Sequence, residues 1–211
     1  MNRVIKVSFF LFLLLFCSGR LTLIIHEFLG HALPVAFLGH EIHHITFQFF
    51  GDAWINYHYK GPFIKGHETS ILSGGIISEM VIACLLLIIC RFIKHHFIKF
   101  SFTFLSAILI IHALHYSILA LYFQYGDGRY FNFLWGEDHA KQLAWGLIIP
   151  LTSFSFAFSK EYSRSLTQLY PYKPILFLAA SSFIAISIHA SLGLCGFSSA
   201  FSTSFSCGSF L

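Results

Sequence analysis

Residues 21–39, LTLIIHEFLGHALPVAFLG, set two histidines and a glutamate, His26, Glu27 and His31, inside an otherwise apolar run. The run extends back toward residue 5 and forward to residue 38. As one helix it would be about 50 Å long, enough to cross a bilayer at a tilt. Gly19-Arg20 does not split it, because neither half plus so short a turn makes a hairpin of two full spans. Ionisable groups in hydrocarbon are costly unless they line a cavity or bind something. The cluster around Glu27 therefore points to chemistry rather than to ordinary core packing.

The rest of the chain agrees. Of 211 residues, 56% are apolar, 18% aromatic and 10% charged, with mean hydropathy +0.74, where soluble domains carry about 25% charged residues. This excludes a soluble globular domain and a disordered chain. The net charge of +4 is small and scattered, which argues against nucleic acid as a partner. The composition predicts an all-α integral membrane protein forming one polytopic domain over 1–211, with the lipid bilayer as its solvent. Five spans are expected near 5–38, 69–91, 98–124, 130–158 and 173–195.

With the N-terminus inside, eight Lys and Arg (Arg3, Lys6, Arg91, Lys94, Lys99, Lys160, Arg164 and Lys173) lie on the inner side. Three, Lys60, Lys65 and Arg129, lie outside, which follows the positive-inside rule. The expected location is a bacterial inner membrane with a cytoplasmic N-terminus. A competing reading makes Arg3 through Gly19 a cleaved signal peptide, which would remove one span and invert this orientation. Cys195 and Cys207 fall on the outer side, where a disulfide could persist, whereas Cys17, Cys84 and Cys90 sit in spans as packing residues.

HITFQFFGDAWINYHY at 44–59 alternates aromatic and polar residues around Gly51-Asp52, the pattern of a membrane-associated β-hairpin. It reads equally as a hairpin dipping beside an active site to pair with an extended substrate or as an interfacial aromatic anchor. His40, His43, His44, His58 and His67 are expected to be solvated at this interface.

Depth orders the polar residues of the spans. At 1.5 Å per residue, His26, Glu79, His112, His115 and Asp138 fall roughly 10–20 Å below the outer face, with His31 and His189 shallower. His112 and His115 share a helix face, and Glu79 follows Gly74-Gly75, small residues that permit close helix contact. Taken singly, His112, His115 and His189 are better accounted for by interhelical hydrogen bonds than by direct ligation, and a hydrated transport cavity would produce the same layer.

Three segments carry a family resemblance. HEFLGHALPVAFLG (26–39) resembles the zinc-binding helix of the site-2 protease family of intramembrane metalloproteases, whose HExxH motif is often followed by Ala and later by Gly. SGGIISEMVIACLLL (73–87) is similar to the Gly-rich start of the next family helix. GEDHAKQLAWGLIIP (136–150) resembles the G-x-D-A-x-x-L segment, ending in Pro, that supplies the third ligand in small bacterial members. The resemblance covers roughly residues 10–155 and implies one zinc ion per chain. It implies His26, His31 and Asp138 as metal ligands, Glu27 as general base, and a membrane-embedded or membrane-adjacent peptide as substrate. Glu137, His139 and Asp127, the last in Tyr125-Gly126-Asp127-Gly128, compete with Asp138 for the third position.

The motif departs from the family pattern in having three residues, not two, between Glu27 and His31. Positions i and i+4 differ by about 40° around a helix and i and i+5 by about 140°, so a regular helix cannot aim both histidines at one ion. Either a one-residue π-bulge restores convergence, as the HELLGH motif of dipeptidyl peptidase III permits, or the insertion marks an inactive member. An inactive membrane scaffold, a metal or proton transporter using Glu79, His112, His115 and His189, and a zinc-dependent lipid amidase stand beside the metallopeptidase. The transporter is disfavoured by the lack of a symmetry-related pair of broken helices.

Overall fold

The computed structural model describes residues 3–48, 53–124, 126–146 and 153. The chain is mostly helical with one small antiparallel sheet. Helix α1 (Arg3–Ile24) runs without a break into a π-helical turn (Ile25–Ala32) and then into α2 (Leu33–Phe37), so the first apolar segment is one helical column. The column is followed by β1 (Glu41–Phe47), β2 (Ala53–His58), α3 (Lys65–Cys90), α4 (His96–Phe123) and α5 (Asp127–Trp135). A further helical stretch occupies 137–146.

Three helical segments, Phe12–Phe37, Lys65–Cys90 and His96–Phe123, are long and apolar enough to cross a membrane. α3 packs against both α4 and the π turn. Ile25, Ala83, Leu109 and Ile110 form a buried apolar cluster where these three meet, with Met80, Leu86 and Leu105 around it. Outward-facing Phe12, Leu21, Ile77, Leu85 and Ile111 are exposed, as large apolar side chains are on a lipid-facing surface.

The expected fourth span, 130–158, is not one continuous helix. α5 ends at Trp135, Gly136 takes φ 86°, and a new helical stretch starts at 137. A positive φ interrupts the αR conformation, and glycine adopts it without steric cost. The rest of that segment apart from residue 153, the fifth expected span at 173–195, and Cys195 and Cys207 lie outside the described residues.

The hairpin is present and starts earlier than its sequence pattern suggests, at Glu41. β1 and β2 pair antiparallel from Glu41 opposite His58 to Phe47 opposite Ala53, with an irregularity between Ile42 and His44. Arg20 Nη1 donates to the Gln48 carbonyl at 3.1 Å, and β2 packs on the π turn. From Arg20 to Phe37 the helical column rises about 25 Å, and a seven-residue strand spans about 23 Å. The hairpin therefore folds back along the first helical column instead of projecting from its end.

The hairpin is locked to the start of α3. Glu68 accepts hydrogen bonds from the Tyr57 hydroxyl at 2.9 Å and the Tyr59 hydroxyl at 2.6 Å. Burial pushes both phenols above their ordinary value, and the adjacent Glu68 carboxylate adds to the effect. Of the histidines expected to be solvated here, His43, His44 and His58 are exposed. His40 is buried and its Nε2 lies 3.1 Å from His67 Nδ1, while Lys60 N–H approaches His40 Nδ1 at 3.4 Å. Those two are paired with each other instead.

Candidate metal centre

The site begins with the extra residue of the motif. A turn closed by i→i+5 hydrogen bonds accommodates one more residue than an α turn while the helix keeps its direction. The Leu33 N–H donates to the Phe28 carbonyl, five residues back. Ile25, His26, Glu27, Gly30, His31 and Ala32 face inward and are buried, whereas Phe28 and Leu29 stand side by side on the exposed surface. The insertion is thus taken up on the outer face, and both histidines of the motif point the same way. Their ring centroids are 4.9 Å apart.

Glycines let α3 approach this turn. A Cβ on Gly30 would overlap the backbone of Gly74 and Gly75, and a Cβ on Gly75 would occupy the place of the His26 imidazole. The Gly74-Gly75 pair of α3 therefore makes room for a ring rather than merely tolerating a close crossing.

α5 delivers the carboxylate. The chain leaves α4 through Gln124, at φ 58°, and Gly126, at φ 53°, so that Asp127 becomes the first residue of α5. Tyr116 fastens this turn: its hydroxyl donates to Asp127 Oδ2 at 3.2 Å and accepts the Asp127 N–H at 3.1 Å. Asp127 Oδ2 then lies 3.1 Å from His31 Nε2 and 3.4 Å from His26 Nε2. A ligand atom of Glu27 lies within 4.8 Å of ligand atoms of His26 and His31.

The far nitrogens of the two rings have fixed partners. His31 Nδ1 is 2.7 Å from the carbonyl oxygen of Ile71, and His26 Nδ1 is 2.7 Å from Glu79 Oε1. A carbonyl and a carboxylate can only accept, so each Nδ1 carries the hydrogen. In the neutral rings each Nε2 is then a bare lone pair, and both lone pairs face one carboxylate oxygen. Three electron-rich atoms converging in this way repel one another unless positive charge lies among them, as two extra protons or as a cation. Tetrahedral zinc, with bonds of about 2.0–2.1 Å to nitrogen and oxygen, sets its ligand atoms about 3.3 Å apart, close to the observed spacings to Asp127.

The expected residues divide accordingly. His26, Glu27, His31, Glu79 and His112 come together; Glu79 Oε1 also receives His112 Nδ1 at 2.8 Å, and His26, Glu79 and His112 form a second group of close ligand atoms. Asp138, the expected third ligand, is exposed on the 137–146 stretch, as is His139, and Glu137 there pairs with Lys141. The break at Gly136 removes the continuous helix on which Asp138 was counted to the depth of His26. Asp127 stands against the histidines instead. The side chain of His115 and all of His189 lie outside the described residues. Tyr116 was not singled out by the sequence reading; its signal is the four-residue step from His112, which puts both on one face of α4, just ahead of the Gly126-Asp127-Gly128 turn. The chain matches no protein-family model, no curated protein and no solved structure.

Proposed function

We propose that this chain is an intramembrane zinc metallopeptidase that hydrolyses a peptide bond in or near the bilayer. One observation carries the reading: the π turn aims His26 Nε2 and His31 Nε2 at the same oxygen of Asp127 while both Nδ1 atoms are committed as donors. That donor set fits a divalent cation held by His26, His31 and Asp127, with Asp127 taking the position the family resemblance gives to Asp138. Zinc held there would supply a Lewis acid and a water acidified toward neutrality.

The chain's own groups do the rest. Glu27, buried beside both histidines, takes a proton from the attacking water and returns it to the leaving amine, the general acid–base role a carboxylate fills when held within reach. Tyr116 holds Asp127 from behind, so the carboxylate does not need to be ordered at the moment of reaction. The hairpin, lying along the π turn with no third strand paired to it among the described residues, is suited to align an extended peptide by strand addition.

The deciding experiment measures the metal content of the detergent-purified full chain beside two variants. Wild type is expected to hold one zinc ion, His26→Ala to lose most of it, and Glu27→Gln to keep it while losing cleavage of membrane peptides. Full zinc occupancy in His26→Ala, or cleavage by Glu27→Gln at the wild-type rate, overturns the reading.

A further inference from the structure

Glu79 is fully buried, in the middle of α3, and has no part in the hydrolysis as described above. Its Oε1 sits 2.7 Å from His26 Nδ1 and 2.8 Å from His112 Nδ1, while Oε2 is buried without a hydrogen-bond partner among the described residues. This is an unusual investment of hydrogen bonds: two imidazoles converge on one oxygen and the other is left bare. A carboxylate inside a membrane helix is costly unless positive charge opposes it, and both of its donors are histidines. The His26 ring also reaches Asp127, through its opposite nitrogen.

We infer that Glu79 is a positioning residue for the metal centre: by accepting the Nδ1–H of His26 it fixes which nitrogen of that ring is bare and where the ring points, and His112 holds Glu79 in turn. This rests on the metallopeptidase reading. Three helices enter the arrangement, His26 from the π turn, Glu79 from α3 and His112 from α4, so the orientation of the first ligand is set by the packing of the bundle. Gly75 belongs to the same device, since any side chain there would displace the His26 ring from the line between Glu79 and Asp127. Carboxylates bonded to ligating histidines in this way orient the ring and raise its basicity, and losing one typically costs 10–100-fold in metal affinity.

The test uses the detergent-purified full chain, with zinc affinity read by chelator competition and the visible spectrum of the cobalt-loaded protein as a second readout. Glu79→Gln, which removes the charge and keeps the shape, is expected to lower zinc affinity by about 10–100-fold and to alter the cobalt bands, because a neutral amide oxygen is a weaker acceptor for the His26 Nδ1–H and holds the ring less firmly. A merely structural role would change thermal stability and leave the spectrum of the bound ion alone. Should Glu79→Gln fail to fold, His112→Phe carries the test: it leaves Glu79 in place, removes one of its two donors, and is expected to weaken zinc in the same direction by a smaller factor. Wild-type affinity and an unchanged spectrum in the variant overturn this inference and leave the metallopeptidase reading standing. A wild-type chain that binds no zinc overturns both.

Discussion

Replacing Asp127 by Ala, beside Asp138→Ala, separates the carboxylate that touches the histidines from the one that sequence resemblance favours. In the structure Asp127 Oδ2 lies 3.1 and 3.4 Å from the two Nε2 atoms, whereas Asp138 is exposed on the 137–146 stretch. Zinc bound by four protein ligands in small peptides is worth about 10–16 kcal/mol, or roughly 3 kcal/mol per ligand. Since about 1.4 kcal/mol is a factor of ten, loss of one ligand should weaken zinc about a hundredfold. Asp127→Ala is therefore expected to fall by about two orders of magnitude, and Asp138→Ala to stay within about twofold of wild type. The assay is competition with a chromogenic chelator at fixed pH in detergent, with circular dichroism on each variant to confirm that the helices are intact. Tyr116→Phe gives an internal scale. It removes one hydrogen bond to the carboxylate without removing the carboxylate, and should weaken zinc by about tenfold at most. If Asp138→Ala loses the metal while Asp127→Ala holds it, the assignment of the third ligand is wrong and the turn at 124–127 has only a packing role.

Deleting Phe28 tests the π turn. Because the extra residue is taken up on the exposed face, deletion should return an ordinary α turn, leave the phase of the helix beyond His31 unchanged, and keep zinc affinity within about tenfold; loss of both metal and fold would show that the turn does not absorb the insertion. Reporter fusions address orientation: insertion near residue 60 should report outside and insertion after residue 96 inside, on opposite ends of α3, and the same side for both would refute α3 as a span. The hairpin lock has a pH signature. Tyr57 and Tyr59 have raised folded-state values, so their contribution to stability is intact below about pH 10, the ordinary tyrosine value, and is lost as pH rises beyond it. In an ultraviolet titration Tyr57 and Tyr59 should ionise above the ordinary tyrosine range, and Tyr57→Phe with Tyr59→Phe should remove two phenols from the late part of the curve.

How much of this was legible in the sequence depended on whether the relevant signal was local. His26, Glu27 and His31 stand out because charge in an apolar helix is costly, and the demand for a π turn follows from their spacing alone. The hairpin is visible through its alternation, although the strands start at Glu41, where polar residues give no contrast. Asp127 and Asp138 could not be ranked by counting depth. Depth counting presumes an unbroken helix across residue 136, and the real contact is made by a turn in which a non-glycine residue, Gln124, takes a positive φ. The Ile71 carbonyl that orients His31 was wholly illegible, because every residue has a carbonyl and only the fold says which one is presented.

The same distinction explains why the insertion in the motif does not by itself signal decay. A regular helix carrying His26 and His31 five apart would have sent one imidazole toward lipid, where nothing would retain it. Here both rings are buried, both have their Nδ1 atoms committed to acceptors from α3, and the outward residues of the turn are the apolar Phe28 and Leu29. Three acceptor atoms converge here, each with a partner behind it. Each is individually unfavourable in hydrocarbon, and their joint presence is stable only with positive charge at their centre. The contacts of Glu79, Ile71 and Tyr116 are therefore what orients the site: the motif supplies the two imidazoles, and these three contacts decide where the rings and the Asp127 carboxylate point.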